Sequence, residues 1–507
     1  MAVPMKAVVI GAGVGGLAAA IRLAAKGCDV TVLEQLPNAG GKLNLLEDSG
    51  FRFDTGPSLV TLPWVFEDLF SAAGEKLSDH LELIRLEPVC RYVYPDGTGF
   101  DASADLPTMM ANLEKFSAGA GEDFNAFFGH AARAWRGSRK PFLESAISSP
   151  LDFVKNGVPW ADIGALLPFP TLHGLSAQFF KDQKMQQFVG RYATYTGSSP
   201  YRAPATLSTV LYSEYAYGAW YVKGGLYRIA VVLEGIARKL GVEFIFGATA
   251  TQIQLEDTTA PIMPDKQRLA ACAVTLKDGR SFPCDVVICN ADAATLYTDL
   301  LPKYLDERSK RLEPSISGFV MLLGVAGETS GLDHHNIFFS DDYKREFVQI
   351  FDELRPATDP TIYVCISSKS DPSQAPAGHE NWFVLVNAPP TGGTDWTREA
   401  QPYAARILEL LSTRGYDIRQ RIVTQHLMTP TDLETRYKTF RGGIYGTSSN
   451  SVSAAFLRPK NRSSRVQGLY LASGSAHPGG GLPLVILSGK LAAEAALEDW
   501  KPNISRP

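Results

Sequence analysis

Cysteine is sparse: six residues, at 28, 90, 272, 284, 289 and 365, are spread over 507 positions without a Cys-x-x-Cys pair. That spacing excludes a disulfide-framed scaffold and a zinc module, so buried thiols in a reducing compartment are expected and no metal site is. An excess of charge is missing too. Lys and Arg total 49 against 53 Asp and Glu, a formal charge of −4, which removes any global electrostatic reason to bind nucleic acid. Long apolar runs are lacking as well: residues 163–180 are interrupted by Gly164, Pro168, Pro170, His173, Gly174 and Gln178, which excludes a transmembrane helix there. No repeat or low-complexity tract is evident. What is present, 45% hydrophobic and 20% charged residues, suits a folded chain. At about 150 residues per domain, the length predicts three units or two large ones.

Residues 6–35 read KAVVIGAGVGGLAAAIRLAAKGCDVTVLEQ. Lys6 followed by the apolar run Ala7 to Ile21 imitates a signal peptide, but the glycines inside it decide for a strand, glycine turn, alanine-rich helix and second strand, Asp29 to Leu33. Gly11, Gly13 and Gly16 form GxGxxG, the spacing that allows a tight turn, close approach to a pyrophosphate and close helix packing. The helix amino terminus then faces the phosphates. Glu34 ends the second strand, where a carboxylate accepts hydrogen bonds from ribose hydroxyls and disfavours a 2′-phosphate. Gly40, Gly41 and Lys42 follow at short range, and residues 50–57, with Gly56 and Pro57, read as a hairpin and tight turn. Bare backbone at 40 and 41 is expected against a dinucleotide, with Lys42 near its phosphates; the alternative is a surface turn with a solvated lysine.

Landmarks continue along the chain: DTGPS at 54–58, residues 221–253, VVICNAD at 286–292, HHNIFFSDDY at 334–343, FLRPKNR at 456–462 and residues 469–494. In this order and spacing the sequence resembles the flavin-dependent amine-oxidase-like superfamily, and within it the bacterial phytoene-desaturase-type carotenoid oxidoreductases. The resemblance implies noncovalent FAD, with backbone near Ala250 at the adenine and Asn290 at a strand end beside the cofactor. It also implies that the loop at Gly474 and the helix start at Pro483, Leu484 and Val485 face the pyrimidine edge of the flavin. A helix amino terminus offers unpaired N–H groups and partial positive charge there.

The expected fold is α/β: a discontinuous Rossmann-like FAD-binding domain from residues 1–90, 220–300 and 460–507, and an α+β substrate domain from 91–219 and 301–459. Phe282 to Cys289 reads as one buried strand and Pro483 to Glu494 as a helix; helical patches between 105 and 190 precede strand-like runs at 318–325 and 361–366, and Thr258 to Lys266 reads as a polar loop. The implied substrate is a carotenoid, a hydrocarbon that offers almost nothing to hydrogen bonds, so an apolar tunnel must hold it. Tyr192, Tyr195, Tyr201, Tyr215, Tyr217, Trp220 and Tyr221 are lining candidates, and Asp54, Glu214 and His477 are candidates for assisting proton loss or polarising the flavin. Residues 140–190, with Phe142, Leu143, Leu151, Phe153, Val154 and Trp160 between Lys140 and Lys155, are expected to associate peripherally with the cytoplasmic face of a membrane, without a span. A quinone or oxygen is the expected electron acceptor. HPGGGLP at 477–483 stands where phytoene desaturases usually read HPGAGIP. That form looks like later-acting desaturases and terminal-methyl oxygenases, so 3,4-desaturation of a hydroxylated acyclic carotenoid and methyl oxidation both stay open. A non-catalytic flavin- or carotenoid-binding protein is the alternative of another class.

Overall fold

In the computed structural model, residues 3–146, 160–166, 169–257, 269–304, 312–451, 454–455 and 458–500 are described. Lys6–Ile10 runs through the middle of a five-stranded sheet, flanked on one side by Val286–Cys289 and Leu469–Leu471 and on the other by Asp29–Leu33 and Glu243–Ile245. Every pairing in this sheet is parallel. Parallel sheets are covered on both faces, and the apolar, buried runs Ala7–Ile10 and Val286–Cys289 fit that requirement. The helices Val14–Ala24 and Leu482–Asp499 pack against each other, and Arg228–Lys239 also contacts the first of them. The strands therefore come from four widely separated stretches of chain.

The second large sheet has seven strands, in the order Ile422–Met428, Ser317–Ala326, His379–Ala388, Ile362–Cys365, His335–Phe338, Cys90–Val93 and Gly99–Ala102. All its pairings are antiparallel except that of His335–Phe338 with Cys90–Val93. Helix Trp396–Thr413 lays Trp396, Tyr403, Ile407 and Leu411 on one face, against Phe319, Trp382 and Val384. A hairpin, Leu45–Asp48 with Phe51–Asp54, inserts Phe51 and Phe53 against the other face. Helices between 106 and 217 form a cap whose core is continuous with that of the parallel sheet.

One local expectation changes. Residues 282–289 do not form one strand: Ser281–Pro283 pairs with Leu269–Leu276, and the chain then crosses to the parallel sheet as Val286–Cys289. Pro283 cannot donate to a continuing ladder, and the break follows it. Ala250 opens an eight-residue strand, Ala250–Asp257, that belongs to this separate antiparallel sheet rather than to the parallel one. Of the 140–190 segment, Leu151, Phe153, Val154, Lys155 and the side chain of Trp160 lie outside the described residues, as does the Thr258–Lys266 loop. Leu143 is buried and Phe142 packs on the core, while Phe169 is 75% exposed. Among the described residues no helix is long and apolar enough to cross a membrane.

Candidate active site

At the end of the first strand the chain reverses through Gly11, whose φ of +96° favours glycine, and enters the helix with Gly13 as its cap. The second glycine turn lies against the first. Gly40 N–H donates to the Ala12 carbonyl at 2.9 Å, and a Cβ on Gly41 would stand 3.3 Å from Gly13 Cα. From the end of strand Val286–Cys289, Asn290 reaches behind the turn. Its Nδ2 donates to the Ala472 carbonyl, and its side chain fills the space beside Gly11, Gly13, Gly15 and Gly16, where a Cβ on Gly13 would sit 2.5 Å from Oδ1. Asn290 thus braces the turn from behind.

Glu34 is 5% exposed, and both its oxygens hold backbone amides: Ala12 N–H donates to Oε2 at 2.6 Å and Leu36 N–H to Oε1 at 2.8 Å. Burial raises its pKa above the usual carboxylate value although these hydrogen bonds oppose the shift. Each oxygen retains acceptor capacity for a further donor. Lys42 departs from the expectation of a group directed at phosphates. Its ammonium donates to the Ile444 carbonyl and lies near Asp292, and burial lowers the lysine pKa while raising that of the aspartate. Arg458 joins the group and is pushed down to about 10 by burial. The DTGPS turn rests on the Gly40-Gly41-Lys42 turn so tightly that a Cβ on Gly56 would collide with the Lys42 carbonyl. Pro57 stands beside it, partly exposed, and Ser58 Oγ then meets the Tyr363 hydroxyl at 2.5 Å.

The carboxyl-terminal loop brings a second helix start to the same place. Gly481, with φ of +100°, caps Leu482–Asp499; Pro483 is buried in the first turn, and Leu484 and Val485 are partly buried. A Cβ on Gly15 would lie 2.9 Å from the Val485 side chain, and one on Gly474 would lie 3.4 Å from it. Two helix amino termini therefore converge beside a bare glycine backbone, an arrangement that suits anionic and electron-rich groups.

The three titratable candidates do not form one constellation. Both Asp54 oxygens accept backbone amides, from Leu226 at 2.8 Å and Tyr227 at 2.9 Å, at the entry to helix Arg228–Lys239; burial pushes its carboxyl up to about 6. His477 Nε2 is hydrogen-bonded to the Ser145 carbonyl at 3.0 Å and its ring stands edge-on to Phe142; burial lowers its pKa to about 4. Glu214, 2% exposed, accepts from Tyr192 at 2.7 Å and Tyr195 at 2.5 Å, with Arg191 Nη1 3.7 Å away. Arg191 in turn donates to Tyr92 at 2.7 Å and Tyr195 at 3.2 Å, and the Tyr192 hydroxyl, whose one hydrogen goes to Glu214, accepts from the Tyr215 hydroxyl at 2.9 Å. Three of the expected lining tyrosines are therefore members of a buried polar network around an ion pair, not apolar lining. Tyr221 packs on His334, Tyr201 on His173, Trp135 donates to the Tyr217 hydroxyl, and the Trp220 indole donates to the Tyr217 carbonyl. Arg191, Tyr92 and Tyr363 were not singled out by the sequence; only their partners across the fold give them meaning.

The profile of the flavin containing amine oxidoreductases matches residues 14–497. The chain belongs to this family. A 4,4'-diapolycopene oxygenase from Methylomonas sp. is 36% identical over 97% of this chain and 98% of its own. A 1-hydroxycarotenoid 3,4-desaturase from Flavobacterium sp. strain P99-3 is 34% identical over 96% of this chain and 98% of its own. In fold, an oxidoreductase from Methanosarcina mazei superposes with a TM-score of 0.63 at 17% identity, covering 97% of this chain and 100% of that one. As a member of the flavin containing amine oxidoreductases the protein is an FAD oxidoreductase. The cradle fits that cofactor: two abutting glycine turns leave backbone room that side chains would close, a buried carboxylate ends the second strand, and two helix starts face the gap.

Proposed function

We propose that the protein is a carotenoid desaturase, introducing a double bond at the 3,4 position of a hydroxylated acyclic carotenoid. What carries this reading is identity above 30% over nearly the full chain to relatives whose names specify carotenoid chemistry. In the cofactor half, the backbone at Gly11, Gly13, Gly16, Gly40 and Gly41 takes the pyrophosphate, and the free acceptor capacity of Glu34 takes the ribose hydroxyls. Ala250 would lie at the adenine, Gly56 and Pro57 would border the ring system, and Gly474, Pro483, Leu484 and Val485 would present the helix start to its pyrimidine edge. Asn290 holds the glycine turn, and Lys42 ties that turn to Ile444 and Asp292.

When bound, FAD supplies a two-electron acceptor. One carbon would give up a hydride to that acceptor and its neighbour a proton to solvent, leaving a carbon–carbon double bond, and a quinone or oxygen would take the two electrons with their protons. Asp54, Glu214 and His477 are already engaged by backbone amides, tyrosines and a carbonyl, respectively, so we assign them positioning roles rather than direct proton transfer. We place the protein peripherally on a membrane surface, because a carotenoid resides in lipid and among the described residues no helix crosses one.

A second reading has specific support: the relative at 36% identity is named an oxygenase, and oxidation of a terminal methyl would gain oxygen rather than lose hydrogen. Incubating the FAD-loaded protein with liposomes containing acyclic and hydroxylated carotenoids separates the two. Loss of two hydrogens with a red-shifted spectrum is the expected product; oxygen gain assigns the oxygenase. Failure of every carotenoid to bleach the flavin would leave only a binding protein.

A further inference from the structure

In the seven-stranded sheet His335 sits directly opposite Cys365 in the antiparallel pair, and His334 immediately precedes it. All three residues are buried, and a ring nitrogen of each histidine and Cys365 Sγ lie within 4.8 Å of one another. One nitrogen of each ring is held: His334 Nδ1 is hydrogen-bonded to Ser370 Oγ at 2.8 Å and His335 Nδ1 to the Tyr363 hydroxyl at 2.8 Å. Among the described residues neither Nε2 atom has a hydrogen-bond partner, and both are buried. Buried polar atoms are rarely left unsatisfied, and here both histidines of the trio carry one.

We propose that His334, His335 and Cys365 bind one soft d10 cation, Cu(I) or Zn(II). Thiolate and imidazole donors select such ions over hard ones. Ligation at about 2.0 Å to nitrogen and about 2.3 Å to sulfur places three donors roughly 3.5–3.7 Å apart, a closure of about an ångström that side-chain rotation supplies. The hydroxyls on both Nδ1 atoms are the outer partners that orient metal-bound imidazoles. Burial keeps both histidines neutral, the form that ligates. The Cys365 thiol is protonated without the cation, since burial raises its pKa. Binding therefore breaks the S–H bond, forms a sulfur–metal bond and releases one proton to solvent, with no change of oxidation state. Cysteine spacing gives no sign of this trio, because strand register rather than chain proximity assembles it.

The test uses chelator-treated, FAD-loaded protein incubated with Zn(II), or anaerobically with Cu(I), then desalted and assayed for metal. The wild type is expected to retain about one equivalent of one of these ions, and Cys365→Ser and the His334→Ala/His335→Ala double variant at least about tenfold less. Flavin absorbance reports whether each variant has folded. Co(II) offers a readout that needs no variant: a thiolate-to-cobalt charge-transfer band in the near ultraviolet of the wild type. Retention of neither ion, metal content unaffected by Cys365→Ser, or a Co(II) spectrum without that band overturns the proposal. None of these outcomes depends on turnover of a carotenoid.

Discussion

Glu214 and Arg191 form a buried pair surrounded by tyrosine hydroxyls, and the two residues are not interchangeable with a neutral substitute one at a time. Removing one partner of a buried ion pair leaves an uncompensated charge, at a cost of about 3–5 kcal/mol. Glu214→Gln is therefore expected to lower the melting temperature of the FAD-loaded protein clearly, and Arg191→Met/Glu214→Gln to recover part of the loss; equal melting for wild type and Glu214→Gln would refute this. Glu346 carries a pH signature. It is buried, accepts from Ser340, Thr361 and Asn387, and burial nevertheless raises its pKa from 4.5 to about 7. The folded state then holds a proton that the unfolded state releases between pH 4.5 and 7, so this group's contribution to stability declines as pH rises through that window. Denaturation midpoints at pH 5 and pH 8 should differ less in Glu346→Gln than in the wild type, and an unchanged difference would count against it. At this scale the sequence was readable where backbone dictates the residue, as at Gly11, Gly13 and Glu34. It was not readable at Arg191 or Tyr363, whose significance comes from partners up to 305 positions away.

Helices Val14–Ala24 and Leu482–Asp499 approach through glycine. A Cβ on Gly489 would lie 2.5 Å from the Gly15 carbonyl and 2.9 Å from Ala18 Cβ. Overpacking such a contact costs about 1–3 kcal/mol and shifts backbone. Gly489→Leu should therefore separate the two helix starts and reduce FAD retained through gel filtration; full retention would show that the spacing is not critical to the cradle. The helix itself was legible from its apolar periodicity and the preceding glycines, and it extends five residues beyond the expected end, to Asp499. Strand 282–289 was misread because apolar content alone does not reveal which of two sheets a residue joins.

Across the whole molecule, the exposed Phe169 marks the described part of the 140–190 segment, on the cap formed by helices 106–217. If this face meets lipid, replacing Phe169 with Asp removes an apolar anchor of about 1.5–3 kcal/mol, a tenfold or greater loss of liposome binding. Cosedimentation with liposomes measures it, with FAD absorbance as the folding control. Binding equal to wild type would count against lipid contact at this face. Charge and composition gave no hint of this surface, since a near-neutral chain with average apolar content averages over it.

Within the parallel sheet the central strand, Lys6–Ile10, is made before the others, whereas Leu469–Leu471, outermost on one side, is made after them and is followed by the helix Leu482–Asp499. At synthesis rates of about 5–20 residues per second, roughly 25–90 s separate their emergence from the ribosome. Once Val286–Cys289 has emerged, its apolar edge awaits Leu469–Leu471 for roughly 9–36 s of that interval, so the nascent chain needs protection there. The flavin can be captured firmly only after Leu469–Leu471 and the helix Leu482–Asp499 have emerged.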